Sequence, residues 1–81
     1  MQRAQVYDKL NAIFRDYFER DDISLNDATT AADVSGWDSL AHVVLMVEVE
    51  KALGVELGLK QSSRLKNVGE LVDAILKKKS A

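Results

Sequence analysis

The stretch from Ser39 to Leu53 constrains this chain more than any other. Asp38 stands before it as an N-cap candidate, because its carboxylate can accept from the free amides of a first helical turn. Gly54 closes it as a residue that tolerates the left-handed conformation after a helix end. Between these bounds the residues predict a helix. Leu45, Val49, Ala52 and Leu53 form one stripe at helical spacing, flanked by Val43 and Met46, while Leu40, Val44 and Val47 form a second stripe facing largely away from the first. A helix apolar on nearly all sides is either enclosed or docks a partner on its outer face. The chain has 81 residues. A domain that small buries only about 60–65% of its unfolded surface, so enclosure on every side is hard to arrange.

The flanking segments read as further helices. Val6, Leu10, Ile13, Phe14 and Tyr17 follow the spacing of one buried stripe and predict a helix over Gln2 to Phe18, ending among the charges of Glu19 to Asp22. Residues 20 to 37 form a long polar connection, with Ile23, Leu25 and Val34 as its anchors to the core. A connection of that length is uncommon unless it is packed down or functional. Gly36 supplies a permissive backbone position just before the next element. After Gly54, Leu57 or Leu59 is expected to plug the core, and Lys60 to Leu65 to form one short helical turn. Asn67 caps a last helix, with Glu70 completing a capping-box pattern and Val68, Leu71, Val72, Ile75 and Leu76 forming its buried stripe. No segment alternates with period two. The expected architecture is all-α: a small four-helix bundle of three main helices and one short one, with a long first loop, and residues 1–81 as a single domain.

Charge and composition exclude several function classes. The formal charge is -2 and lysines cluster only at Lys77 to Lys79, where they complement the negative end of a helix dipole. A nucleic-acid partner is therefore not expected. The longest unbroken apolar run, Val43 to Val47, is far short of the ~20 residues that span a bilayer. Arg3, Asp8 and Lys9 interrupt any leader-like pattern near the start. A soluble, cytoplasmic, monomeric protein is the expectation. There is no cysteine, which excludes disulfides and thiolate metal sites. Any thioester chemistry would need a thiol brought in on a cofactor.

Ser39 is the candidate for chemistry. At a first helical turn its hydroxyl sits against unpaired backbone amides and the positive end of the dipole, and a phosphate esterified there would be stabilised. Asp38 supplies a local carboxylate that could assist a modifying enzyme. The plain alternative is that Ser39 is only a good residue for starting a helix.

The residues Gly36-Trp37-Asp38-Ser39-Leu40-Ala41-His42-Val43 resemble the attachment motif of acyl carrier proteins and related peptidyl carrier proteins. The resemblance runs on through the apolar helix ending at Leu53-Gly54-Val55 and through Asn67-Val68-Gly69-Glu70-Leu71, so it covers essentially the whole chain. It implies a carrier and not a catalyst. A phosphopantetheinyl transferase would move the 4′-phosphopantetheine arm of coenzyme A onto Ser39, with Asp38 in support. The thiol of that arm would hold an acyl or aminoacyl group as a thioester, exchanged with a loading enzyme and a downstream synthase or transferase. Leu40, Ala41, Val44, Val47, Glu48 and Lys51 would form the partner face. The fatty-acid-synthesis branch of the family carries a strongly acidic second helix. Here Ala41, Val44 and Val47 stand at the outer positions and Lys51 adds a positive charge, so partner choice would rest on apolar contact more than on charge steering. The Trp-Asp-Ser-Leu-Ala-His-Val form looks more like stand-alone carriers of polyketide, nonribosomal-peptide or aminoacyl-transfer pathways. A fatty-acid-synthesis carrier is the alternative within the family. Outside it, the alternative is an unmodified helical adaptor that binds a partner through Leu40, Val44 and Val47.

Three weaker signals remain. Asp38, Ser39 and His42 suggest a hydrolytic triad, but adjacent residues cannot place a carboxylate behind the imidazole, and no glycine elbow accompanies them. His42 is then a contact to the arm or to a partner, or a plain surface histidine. Trp37 shields the loop–helix junction, lines the arm's exit or simply packs. Asp22, Ser24, Asn26 and Asp33 faintly echo a calcium loop, yet the turn glycine and the twelfth-position glutamate are missing, and no metal is expected.

Overall fold

The computed structural model describes residues 1–80; the side chains of Leu59 and Ser80 lie outside the described residues. Among the described residues the elements run α1 (Arg3–Phe18), a 3-10 turn (Ala31–Asp33), α2 (Ser39–Leu53), α3 (Gly58–Ser62) and α4 (Val68–Ser80), with no strand. The chain is an all-α bundle of three main helices and one short one, as its periodicity predicts. No described helix is long and apolar enough to cross a membrane.

Each boundary has a local cause. Gln2 stands before α1, its carbonyl accepting from the Gln5 amide at 3.0 Å while its own amide donates to Gln5 Oε1 at 2.8 Å. Glu19 ends α1 in the left-handed conformation (φ 54°), within the charged run where the stop is expected. Gly54 ends α2 at φ 66°, its amide donating to the Glu50 carbonyl. Glu50 then reaches past this turn: its Oε2 accepts from the Leu57 amide at 2.7 Å, just before α3 begins. That contact sets the short helix at Gly58–Ser62, two residues earlier than Lys60 to Leu65. Asn67 Oδ1 accepts from the Glu70 amide at 2.9 Å. The Glu70 carboxylate, however, accepts from Lys66 at 3.0 Å and not from Asn67, so the capping box is shifted by one residue on that side.

The core is built from one stripe of each long helix. Val6, Leu10 and Phe14 of α1 meet Leu45, Val49 and Leu53 of α2 and Val68, Leu71, Val72 and Ile75 of α4, all essentially without solvent contact. Burying each such side chain stabilises the fold by about 1.5–3 kcal/mol. Helix α1 packs against both α2 and α4. Two expected core positions are corrected. Tyr17 is exposed, and its neighbour Phe18 packs against the core instead. Ala52 is exposed as well, while Ala41 and Met46 are buried. In α1 the last turn of the stripe is rotated by one position; in α2 the stripe of Leu45, Val49 and Leu53 stands where expected, and Ala52, near the helix end, leaves the core, because where a helix leaves the core depends on its crossing with its neighbours. Leu57 plugs the core at the connector; the Leu59 side chain lies outside the described residues.

The first loop is packed down. Ile23, Leu25 and Val34 are buried as expected, and Thr29 with them. Helix α1 holds the loop through its polar flank: Asn11 Oδ1 accepts from the Leu25 amide at 2.8 Å and Arg15 Nε donates to the Ile23 carbonyl at 2.6 Å. Two of the residues that echo a calcium loop, Asn26 and Asp33, are used in local turns. Asn26 Oδ1 accepts from Ala28, and Asp33 Oδ2 accepts from Thr30. Loop and α4 are joined directly, Val68 donating to the Thr29 carbonyl at 2.8 Å and Gly69 to that of Asp27 at 3.1 Å.

A polar clasp covers the far end of the bundle. Arg3 pairs with Asp27 at 2.9 Å and Asp73 at 2.7 Å, and the Tyr7 hydroxyl donates to Asp27. The Tyr7 bond, followed by the Arg3 bond, holds the Asp27 carboxyl below its ordinary value. Burial, followed by the bond to Asp27, pushes Tyr7 up to about 12. A depressed carboxyl contributes stability above its unfolded value and loses it as pH falls through the lower folded value. A raised phenol contributes fully below its unfolded value and loses it as pH rises through the folded one. Acid titration below about pH 4 should therefore destabilise the wild-type chain more than Asp27→Asn, followed as the helical circular-dichroism signal. The clasp is solvent-exposed, so the difference is small. Equal acid sensitivity of the two chains would show that the clasp contributes nothing.

Candidate functional site

The loop is brought to the start of α2 by a short series of turns. Trp37 donates its amide to the Val34 carbonyl at 3.1 Å, and Asp38 donates to that of Gly36 at 3.0 Å. Gly36 adopts φ 92° with Phe18 close by, a conformation that favours glycine. The chain then enters α2 with Asp38 extended as the N-cap. Asp38 Oδ1 accepts from the Ala41 amide at 2.8 Å, as the sequence predicts.

Ser39 is the first residue of α2 and is exposed. Four amides open the helix, those of Asp38 to Ala41. Gly36 takes the first and the Asp38 carboxylate takes the last. Those of Ser39 and Leu40 find no acceptor among the described residues. They lie beside the Ser39 hydroxyl at the positive end of the helix, so a phosphodiester on that oxygen would meet two free donors. From Ser39 a groove of about 670 Å³ opens between the start of α2 and α3, with Trp37, His42, Val43, Lys60 and Leu65 among its walls. These residues fit a phosphate-linked group at Ser39.

The geometry removes the triad. His42 Nδ1 accepts from Trp37 Nε1 at 3.1 Å, and His42 Nε2 lies 2.9 Å from the Ser62 carbonyl oxygen. Both ring nitrogens are engaged, and the Asp38 carboxylate is turned to the helix amide. Among the described residues no hydrogen bond joins the Ser39 hydroxyl to either side chain. Nor do three or more His, Asp or Glu side chains gather as a metal site among the described residues.

The expected partner face is partly redrawn. Leu40 is 74% exposed and Val47 42%, with Glu48 and Lys51 exposed beside them. Ala41 is corrected: it is 3% exposed and belongs to the core, because α2 turns its Ala41–Leu45 edge inward. Val44 is half-buried, and Val43, at 46%, stands on the outer surface in its place. Sequence reasoning also missed the bond from Trp37 through His42 to Ser62. The partners Trp37 and His42 were visible as neighbours, but no pattern in the chain points to a carbonyl twenty residues on.

Comparison with known proteins agrees with this geometry. The family model described as "Phosphopantetheine attachment site" matches residues 8–75. An acyl carrier protein of Thermosynechococcus vestitus is 28% identical over 81 residues, the full length of both chains. The solution NMR structure of holo acyl carrier protein from Geobacter metallireducens superposes with a TM-score of 0.84 at 40% identity, covering 93% of this chain and 86% of that one.

Proposed function

Because the chain belongs to the phosphopantetheine attachment-site family of acyl carrier proteins, with 4′-phosphopantetheine as its prosthetic group, we propose that Ser39 is its point of attachment. One observation carries this reading: an exposed hydroxyl on the first turn of α2, beside two unpaired amides and at the mouth of a groove. When bound, the group supplies a thiol, which the chain itself lacks, to hold an acyl group as a thioester. The protein's residues do the rest. The Asp38 cap fixes the first turn so that the hydroxyl is presented to a transferase, and the helix amides stabilise the phosphodiester charge. Members of this family are carriers, not catalysts, and the engaged His42 accords with that role. Residues 1–81 would act as one monomeric cytoplasmic carrier domain.

Incubation with coenzyme A and a promiscuous phosphopantetheinyl transferase should add one arm to the wild-type mass and none to Ser39→Ala. Asp38→Ala should still gain the arm, with α2 weakened by about 1 kcal/mol in thermal unfolding. A folded wild-type chain that gains nothing would reject the reading and favour an unmodified adaptor binding through Leu40, Val44 and Val47.

The partner face supports a pathway proposal. Leu40, Val43 and Val47 form an exposed apolar strip, edged by Glu48 and Lys51 of opposite charge. Loading and downstream enzymes would dock there by apolar contact and only secondarily by charge. This favours a specialised polyketide, nonribosomal-peptide or aminoacyl-transfer pathway over fatty-acid synthesis. Presented with a fatty-acid ketosynthase and with aminoacyl-activating enzymes, the pantetheinylated protein should prefer the latter. Efficient use by the ketosynthase alone would overturn the assignment.

A further inference from the structure

Trp37 and His42 form the most constrained side-chain pair near Ser39, and attachment of an arm uses neither. A carbonyl only accepts, so His42 Nε2 donates to Ser62 and Nδ1 is left to accept from the Trp37 indole. A single neutral tautomer satisfies both bonds. The two rings stack with centroids 5.9 Å apart and planes 19° apart. On its other side Trp37 meets Phe14 edge-on at 5.0 Å. The pair therefore runs as a continuous bridge from the α1 core to the end of α3.

The spaces on the two sides of this bridge differ tenfold. Outside lies the groove of about 670 Å³ that begins at Ser39. On the other side, against Val68 and Leu71 of α4 and with Lys66 and Asn67 at its rim, lies a recess of only about 70 Å³. Trp37, His42, Ala31 and Leu65 line both, so they are the wall between them. The recess is roughly half of the ~150 Å³ cavity that accommodates one benzene ring in a protein core. An alkyl chain longer than a few carbons cannot enter it while the bridge stands.

We propose that the Trp37–His42–Ser62 bridge is a partition that confines the arm and its load to the outer groove, so that this carrier takes short or polar acyl groups, aminoacyl groups included, and does not draw a longer alkyl chain into its core. The inference rests on the reading that Ser39 bears the arm. Trp37 and His42 are positioning residues here: they hold α3 against α2 and set the size of the space a load can use.

The test uses uniformly ¹⁵N-labelled protein charged by a transferase from butyryl- or octanoyl-coenzyme A. Intact mass first establishes one acyl-arm on Ser39; its absence overturns the attachment reading, and the partition with it. In charged wild-type protein, the butyryl and octanoyl forms should give superimposable Val68 and Leu71 amide signals, the same Trp37 indole N–H signal and the same melting temperature. His42→Ala should open the wall. Its octanoyl form, unlike its butyryl form, should shift the Val68 and Leu71 amides and melt higher than its own uncharged form. Trp37→Phe keeps the ring and removes the donor, and should respond in the same direction if His42→Ala does not fold. A purely structural bridge would lower stability without making these signals depend on chain length. The proposal falls if wild-type octanoyl protein shifts Val68 and Leu71, or if a folded variant leaves them unmoved.

Discussion

Phe14→Ala should lower the melting temperature by roughly 15–30 °C, the largest effect of any single truncation in this chain. Phe14 is wholly buried and is the largest side chain at the centre of the core. Phenylalanine-to-alanine changes at such sites cost about 3–5 kcal/mol, counting both lost burial and the residual cavity. A domain of this size has only about 4–12 kcal/mol of stability to lose. The consequence reaches the candidate site. Phe14 supports the Trp37 ring edge-on at 5.0 Å, so its removal should also shift Trp37 fluorescence before global unfolding. Tyr17→Ala is the control. Tyr17 lies on the stripe that periodicity assigns to the core, but it is exposed, and its truncation should cost under about 1 kcal/mol. Thermal unfolding by circular dichroism decides the matter; comparable losses in the two variants would contradict this placement of α1.

Gly69→Ala should also destabilise the fold, by about 1–3 kcal/mol, or roughly 5–20 °C in melting temperature. Its helical position would ordinarily favour alanine over glycine by about 1 kcal/mol, so the sign of the effect is informative. A Cβ on Gly69 would lie 2.8 Å from the Asp27 carbonyl oxygen and 3.1 Å from the Asp27 Cα. Those atoms are backbone, held by the Gly69 amide bond and by the neighbouring bond from Val68 to Thr29. They cannot swing aside as a flexible side chain would. The loop would have to lift from α4, loosening the clasp of Arg3 and Tyr7 on Asp27 and the far end of the segment that presents Ser39. An unchanged or raised melting temperature would mean that the loop is not held against α4 as described.

Helix positions and their caps were legible because they depend on neighbours in the chain. Asp38 before an apolar run, Gly54 after it and Asn67 before the last stripe each act over one helical turn, and the structure uses all three. The buried anchors Ile23, Leu25 and Val34 were legible for a related reason, since isolated apolar residues in a polar loop have little else to do than pack. Rotation of each helix was not legible to within one residue. Tyr17 against Phe18 and Val44 against Val43 are decided by where a helix meets its neighbours, and a 3.6-residue period places adjacent residues only about 100° apart.

The sequence by itself determined an all-α chain, an apolar helix with a free face and an exposed serine at its first turn, because capping and periodicity are local physics. Only the tertiary structure decided that Ala41 faces inward, that His42 is bound on both nitrogens, and that Gly69 lies against Asp27. Each of these joins residues distant in the chain or depends on the crossing of two helices. Such contacts exist only once the bundle has closed, and no stretch of the chain encodes them alone.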